Sequence, residues 1–181
     1  MSFTGGLRGP RMNFQVGDKV VYPNQGVGTV ENITFRTFGA TREPFYLLRF
    51  GTNSSMTVVV PCSNAANIGL RRVTQEREIS RLLHYLSSDN CSVTADWKSR
   101  YKENTVKMQS NDPLKIAEVL KSLLCVHSER TLSFREKRML DCARRVLTSE
   151  IATSAGVSES QALSILQNAF NKAGLALRTD A

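Results

Sequence analysis

The sequence predicts an α+β fold in which a small β-barrel is followed by a compact all-α domain of about five helices. Three observations lead to this prediction. The chain has 181 residues, a length that allows one ordinary domain or two small ones. Residues 14–61 form short apolar segments separated by turn residues, which is typical of strands. After residue 73 the apolar residues recur at helical spacing instead.

The predicted domain boundaries follow these changes in pattern. Residues 1–11 contain three glycines and one proline with little to bury, and we expect a flexible N-terminal extension there. The barrel is assigned to residues 12–70 and the helical domain to residues 71–181. Hydrophobic residues make up 41% of the chain, which lies within the range of folded globular proteins and allows a packed core.

Four segments of the N-terminal part carry the Val, Ile, Thr, Phe and Tyr residues that favour strands. They are residues 19–22, 26–36, 45–50 and 57–60. Gly, Pro and Asn mark the predicted turns at residues 23–26, 37–44 and 51–55. Four or five short strands within about fifty residues predict an SH3-like or Tudor-like barrel.

Capping signals divide the C-terminal part into helices. The predicted N-caps are Thr74, Asp96, Asp112, Ser133 and Ser158. The last two begin capping boxes, with Glu136 and Gln161 three residues further on. The corresponding helices are expected to end at Gly156 and Gly174, because glycine readily adopts the left-handed conformation that ends a helix.

Few residues are available for catalysis or metal binding. The chain has four cysteines, without a C-x-x-C pair, and two histidines. This scarcity argues against zinc, redox and nucleophilic sites, so we expect no enzyme activity, no cofactor and free thiols. No apolar run approaches the roughly 20 residues that span a bilayer, and the N-terminus lacks the apolar region of a secretory signal. We therefore expect a cytoplasmic protein without a membrane partner.

Positive charge is concentrated in one part of the chain. The formal net charge is +8. Residues 97–149 hold twelve Lys and Arg against six Asp and Glu, whereas residues 150–181 hold two against three. A localised positive field attracts phosphate backbones or acidic proteins. A mixed charged face on solvated helices is the alternative, and charge alone does not decide between them.

The segment with the most distinctive chemistry starts at the only tryptophan, Trp97, and carries Lys98, Arg100 and Lys102. On a helix, Trp97 and Tyr101 would lie roughly on one side. The ring could be an anchor of the helical core, with ordinary solvated cations around it. It could also stack on a base or wedge between base steps while the cations bind phosphates. The residue pattern leaves both alternatives open.

Several segments match one known family in order along the chain. The first is FQVGDKVVYPNQGVGTVENI at residues 14–33. The others are YLLRF at 46–50, VVVP at 58–61, the W-x-x-R-Y-K block at 97–102, IAEVL at 116–120 and LSFREKRMLDCAR at 132–144. Together they resemble the CarD/CdnL family of bacterial transcription regulators. Related barrels occur in a transcription-repair coupling factor, but the tryptophan block and the LSFREKRML block make the resemblance specific.

The resemblance implies a monomeric two-domain adaptor without catalytic chemistry. Its Tudor-like barrel would bind the β subunit of RNA polymerase, through main-chain pairing along a strand edge. Its helical domain would contact promoter DNA, largely independently of sequence, at the upstream edge of the transcription bubble, and polymerase would bring it to the nucleoid. By position, Arg36, Val59 and Pro61 match polymerase-contacting residues of the family. Relatives carry Arg or Met at the position of Val59, so no salt bridge is implied there.

The resemblance also implies a wedge mechanism for DNA. Trp97 matches the family's wedge tryptophan, and Arg100 and Lys102 match its DNA-contacting cations. Relatives often carry another cation at the position of Ser99, whereas this chain carries Lys98 one residue earlier; without a replacement contact, DNA affinity and its salt dependence should be lower. An indole held in the widened minor groove would oppose closing of the bubble and stabilise the open complex. The predicted DNA-binding residues are Trp97, Lys98, Arg100, Lys102 and Arg138.

Two other binding functions remain open. Residues 151–166, IATSAGVSESQALSIL, are typical of a helix-turn-helix, which would make the chain a stand-alone, sequence-specific repressor. The expected recognition helix, residues 159–170, contains no Lys or Arg, which argues against base and phosphate contacts. The third function is an RNA-binding module, for which Tyr22, Phe35 and Phe38 offer few stacking platforms.

Overall fold

The computed structural model describes residues 14–51, 56–89 and 96–177. Within these ranges, a five-stranded antiparallel sheet is followed by helices, so the predicted α+β class is confirmed. The strands are β1 (Lys19–Tyr22), β2 (Gly26–Phe38), β3 (Thr41–Phe50), β4 (Thr57–Pro61) and β5 (Arg71–Arg72). The extension predicted for residues 1–11 lies outside the described residues.

The predicted SH3-like or Tudor-like barrel is a five-stranded sheet that does not close. Their order is β4-β3-β2-β1-β5, so β4 and β5 are the edges and do not pair with each other. The two residues of β5 pair with Val20 and Val21 of β1. The sheet therefore extends beyond residue 70, and its last strand lies directly before the helices.

The β2–β3 hairpin is longer than we predicted from its turn residues. Gly and Pro at residues 37–44 indicated a break, but the strands continue until Phe38 pairs with Thr41 across a two-residue turn. Gly39 has φ of 60°, a left-handed conformation that glycine adopts without a Cβ clash. Side-chain pairs stabilise the extended part: the guanidinium carbon of Arg42 lies 4.5 Å from the centre of the Phe35 ring.

Among the described residues, one short α-helix lies between β4 and β5, and five helices follow β5. They are α1 (Ala65–Ile68), α2 (Glu76–Leu86), α3 (Trp97–Gln109), α4 (Pro113–Glu129), α5 (Phe134–Ala155) and α6 (Glu159–Lys172). The single turn α1 precedes β5, and α2 to α6 are the five helices that the sequence predicted. Asp96, Asp112, Ser133 and Ser158 cap α3 to α6 as expected, each accepting hydrogen bonds from backbone N–H groups. Both predicted capping boxes form.

One predicted cap is wrong. Gln75, not Thr74, is the N-cap residue of α2. Thr74 Oγ1, the atom that would cap the helix, accepts from Arg71 Nη1 at 3.2 Å, and the Thr74 backbone N–H donates to Glu150 Oε1 at 2.9 Å. The Glu150 carboxylate is fully buried and therefore needs hydrogen-bond donors. Thr74 supplies one of them from a distant part of the sequence.

Buried apolar side chains form two clusters, one within the sheet and one among the helices. Val20 belongs to the sheet cluster, whereas its neighbour Val21 belongs to the helical cluster. Successive side chains of a strand point to opposite faces, so β1 contributes to both cores. One face of the sheet is thereby packed against the helical domain.

Polar contacts also connect the sheet to the helices. Asn111, which follows α3, is buried and donates from Nδ2 to the carbonyl oxygen of Val21 at 3.2 Å. Ser149 Oγ of α5 accepts from the backbone N–H of Val27 at 3.1 Å. A Cβ at Gly26 would lie 2.5 Å from the same Oγ. The β1–β2 turn therefore lies directly on α5, with no room for a side chain between them.

The described residues contain no helix that is long and apolar enough to cross a membrane. Within the same ranges, no three His, Cys, Asp or Glu side chains are grouped closely enough to hold a metal ion. Cys62 and Cys142 are free, whereas Cys125 is disulfide-bonded, which corrects the expectation of free thiols at that position. Spacing along the chain does not determine which thiols a fold brings together.

Candidate nucleic-acid interface

Trp97 is the first residue of α3, and the residues around it hold the helix start in place. The Asp96 carboxylate accepts from the backbone N–H of Lys98 at 3.4 Å and of Ser99 at 3.0 Å. Ser99 Oγ donates to it as well, at 2.7 Å. The Ser99 side-chain hydrogen bond is the main cause of the lowered pKa of Asp96. Ser99 therefore helps to cap the helix.

The indole of Trp97 is on the surface. It is 57% exposed and belongs to neither apolar cluster. Lys98 Nζ lies 5.8 Å from the centre of its ring. The ring borders an open cavity of about 690 Å³, whose other lining residues are Arg100, Val126, Glu129, Arg130, Ser133 and Glu136. Of the two alternatives left open by the sequence, the anchor in the core does not fit this position.

Beneath Trp97, a buried carboxylate connects the ends of three helices. Glu136 Oε1 accepts from Arg100 Nη2 at 3.2 Å and from Arg130 Nη2 at 2.9 Å. Its Oε2 accepts from the backbone N–H of Ser133 at 2.9 Å and from Ser133 Oγ at 2.8 Å. Burial alone would raise the pKa of Glu136, but the hydrogen bonds from Arg130, Ser133 and Arg100 outweigh it and lower the pKa to about 2. The carboxylate is therefore charged at neutral pH, and both of its oxygens accept hydrogen bonds.

This network determines where Arg100 points. The side chains of Arg100 and Glu136 are each only 6% exposed, so the guanidinium is directed into the protein. The sequence predicted Arg100 as a phosphate contact, but the structure places it below the surface that carries Trp97. Its contact with Glu136 connects the first turns of α3 and α5 and supports the position of the indole.

The other predicted cations lie on the surface. Lys98 and Lys102 are exposed, one turn apart on α3. Arg138 is exposed on α5, with its guanidinium carbon 5.8 Å from the centre of the Phe134 ring. The structure thus places Trp97 and Lys98 in contact and Arg138 on the neighbouring helix.

Sequence reasoning missed two residues of this region. Arg130 lines the Trp97 cavity, and its side chain is 44% exposed while it pairs with Glu136. Phe134 is 74% exposed at the first position of α5. Phe134 could have been noticed, because it stands outside the helical repeat of Leu140, Ala143 and Leu147, which faces the core.

The predicted polymerase-contacting residues lie at the other end of the chain, on the sheet. Val59 and Pro61 are on the edge strand β4, two residues apart and therefore on the same side of the strand. Pro61 pairs with Phe45 of β3, and the guanidinium carbon of Arg36 lies 5.4 Å from the centre of the Phe45 ring. Arg36 and Pro61 are thus both neighbours of Phe45. Val59 is exposed, and so is Phe35 next to Arg36.

The predicted helix-turn-helix corresponds to the end of α5, the turn at Gly156 and α6. Gly156 has φ of 65° and ends α5. In α6, Ala162, Leu166, Ala169 and Phe170 are buried. The only cation of α6 is Lys172, its last residue, and Glu159 is in its first turn. A helix N-terminus that carries a carboxylate and no cation is poorly suited to the major groove.

Comparisons with known proteins cover both regions. A family model described as CarD-like/TRCF RID domain matches residues 14–74 and includes the residues around Arg36 and Val59. One described as CarD, C-terminal domain matches residues 81–167 and includes Trp97 and Arg138. The chain is also similar to "Putative transcription factor YdeB" of Bacillus subtilis (strain 168). The two are 34% identical over 148 residues, which is 82% of this chain and 96% of the relative.

Proposed function

The chain belongs to the CarD family of transcription regulators, and we propose that it acts as an adaptor between RNA polymerase and promoter DNA. A CarD-like/TRCF RID domain implies an interaction with RNA polymerase in general. In our proposal the sheet binds the β subunit, and Trp97 wedges into DNA at the upstream edge of the transcription bubble. The observation that carries the proposal is the exposed indole beside Lys98 on an open cavity.

The wedge stabilises melted DNA by occupying the distorted base step. Opening a promoter leaves an unstacked junction at the upstream edge of the bubble, and an apolar ring fits that widened step better than regular duplex. Closing the bubble then requires removal of the ring. A net gain of about 1.4 kcal/mol would shift the open-complex equilibrium about tenfold.

The cations around Trp97 divide into two roles. Lys98 and Lys102 are exposed on the first turns of α3 and bind phosphates, without reading the sequence. Arg100 acts as a positioning residue, because its guanidinium is buried against Glu136. Arg138 extends the phosphate-binding surface from α5.

The sheet offers an edge for the polymerase. Strand β4 has β3 on one side, and no strand among the described residues pairs with its other side. Such an edge can pair with a strand of a partner, with specificity from neighbouring side chains. Val59 and Pro61 lie on this edge. Arg36 is on β2, and its guanidinium lies over the ring of Phe45, the β3 residue that pairs with Pro61.

Contacts between the sheet and the helices support a mechanism in which a polymerase-bound sheet holds Trp97 near the promoter. Three side chains of the helical part make these contacts: Asn111 with β1, Ser149 with β2 and Glu150 with Arg71 of β5. Binding to polymerase would therefore raise the concentration of Trp97 at the promoter, so that weak DNA affinity suffices. The chain would work as a monomer, without a cofactor, at the nucleoid.

The proposal is tested by open-complex lifetime together with polymerase pull-down. Trp97→Ala should keep polymerase binding but shorten the lifetime to that seen without the protein. Arg36→Glu should lose the polymerase and therefore the effect on lifetime. Val106→Ala is the matched control, because Val106 is also an exposed apolar residue of α3. An unchanged lifetime for Trp97→Ala, with intact polymerase binding, would refute the wedge.

The stand-alone repressor gains no support from α6, whose only cation is its last residue. Footprinting without polymerase distinguishes the two functions. Protection of a defined operator by the chain alone would favour the repressor, whereas protection only with polymerase favours the adaptor.

A further inference from the structure

A second exposed aromatic ring lies on the helix beside the Trp97 site. Phe134 is the first residue of α5 and, among the described residues, the most exposed large hydrophobic side chain, with 74% of its surface accessible. A single exposed apolar residue is common on protein surfaces. Phe134 differs from such isolated residues because exposed cations surround it.

In residues 134–138, at the start of α5, only positive charge faces solvent. Arg135, Lys137 and Arg138 are exposed, and the Arg138 guanidinium carbon lies 5.8 Å from the centre of the Phe134 ring. The one carboxylate of this segment, Glu136, is buried and neutralised by two arginines. An aromatic face surrounded by cations, with the acidic residue turned inward, is suited to a base and its phosphates and unsuited to a cationic partner.

Phe134 is connected to the Trp97 site through the helix starts. Arg100 lies one turn after Trp97, and Glu136 lies two residues after Phe134, so their ion pair connects the first turns of α3 and α5. From Phe134 a groove of about 420 Å³ continues along the two helices. Its lining includes Tyr101, Thr105, Arg138, Met139 and Cys142.

We propose that Phe134 is a second DNA-contacting ring, which stacks on an unpaired base next to the junction held by Trp97. Arg135 and Arg138 bind phosphates of the same strand. Stacking on a flat ring suits any base, because every base has an aromatic face. This inference rests on the proposed function, since it assumes that Trp97 lies at a junction between paired and unpaired DNA.

Binding of the full chain to a forked DNA with a single-stranded tail, compared with a blunt duplex, tests the proposal by fluorescence anisotropy of labelled DNA. Phe134→Ala should weaken binding to the fork at least about fivefold, the lower limit for loss of one stacked ring, and change duplex binding little. Leu114→Ala is the control. Leu114 is also exposed and apolar, and it lies 15 residues before Glu129, the last residue of α4, whose end borders the Trp97 site.

The single tryptophan provides a direct measurement of stacking. In a double variant, Trp97→Phe with Phe134→Trp, the only indole of the chain reports on position 134. Its fluorescence should be quenched by a fork with bases in the tail and not by a fork with an abasic tail. Equal quenching by both tails would overturn the proposal.

The outcomes separate this inference from the proposed function. If Trp97→Ala weakens fork binding and Phe134→Ala does not, the inference fails and the wedge stands. If the wild-type chain does not prefer the fork over the duplex, both fail. If Phe134→Ala weakens polymerase binding while fork binding is unchanged, the ring contacts a protein and our assignment to DNA is refuted.

Discussion

Helix α5 carries two buried carboxylates, Glu136 near its start and Glu150 near its end, and each is paired with arginine. Glu150 accepts hydrogen bonds from Arg71 Nη1 at 2.5 Å and from Arg71 Nη2 at 2.9 Å, and these bonds connect the helix to strand β5. Glu136 connects the helix to Arg100 and Arg130 beneath Trp97. Fourteen residues at 1.5 Å each put about 21 Å between them. The same chemistry therefore attaches one end of α5 to the sheet and the other end to the candidate DNA site.

The difference between the two carboxylates lies in their donors. Glu150 depends on one arginine and the backbone N–H of Thr74. Glu136 has two arginines and two donors from Ser133, one of them in its own capping box. Loss of one partner should thus matter more at the sheet junction than at the DNA site.

The largest expected effect comes from Arg71→Met. It leaves the fully buried Glu150 without its bidentate partner, which should lower the free energy of unfolding by about 3 to 5 kcal/mol. Arg72→Met is the matched control in the same strand. The Arg72 side chain is 65% exposed and its ion pair with Asp18 is long, at 3.4 Å, so we expect at most about 0.5 kcal/mol. Urea unfolding measures both, and similar losses would contradict the comparison.

The second effect is a pH dependence that belongs to Glu136. The pKa of Glu136 is about 2 in the folded chain, whereas the ordinary value for a glutamate is 4.5. Since the folded pKa is the lower one, the stabilisation is complete above about pH 4.5 and is lost as the pH falls towards about 2. It amounts to roughly 3 kcal/mol at most. Glu136→Gln should flatten stability in this range, and an unchanged profile would show that other carboxylates cause the acid sensitivity.

The smallest expected effect is the difference in stability cost between substitutions of Arg130 and Arg100, the two arginines that pair with Glu136. Arg130 is 44% exposed, and Arg130→Met should cost about 1 kcal/mol or less. Arg100→Met removes the buried partner at 6% exposure and should cost more. It should also change the fluorescence anisotropy of Trp97, because the ion pair between the first turns of α3 and α5 is lost. Equal costs would mean that the bidentate contact of Arg130 is enough to hold Glu136.

Much of the fold follows from signals that act over a few residues. The caps at Asp96, Asp112, Ser133 and Ser158 were predicted correctly, because an N-cap hydrogen bond joins groups only two or three positions apart. The strands were found for a similar reason, although the β2–β3 hairpin is longer than its Gly and Pro residues indicated. Cross-strand pairs extended it, and they depend on a partner segment that local composition does not describe.

The sequence by itself determined where helices α3 to α6 begin, the family of the chain and the cations that follow its only tryptophan. The tertiary structure decided which of those side chains reach the surface. Arg100 turns inward because Glu136, 36 positions later in the chain, lies beneath it, whereas Lys98 and Trp97 stay outside. Arg71 and Glu150 are 79 positions apart. Capping is a short-range interaction, while burial and ion pairing depend on contacts that only the folded chain brings together.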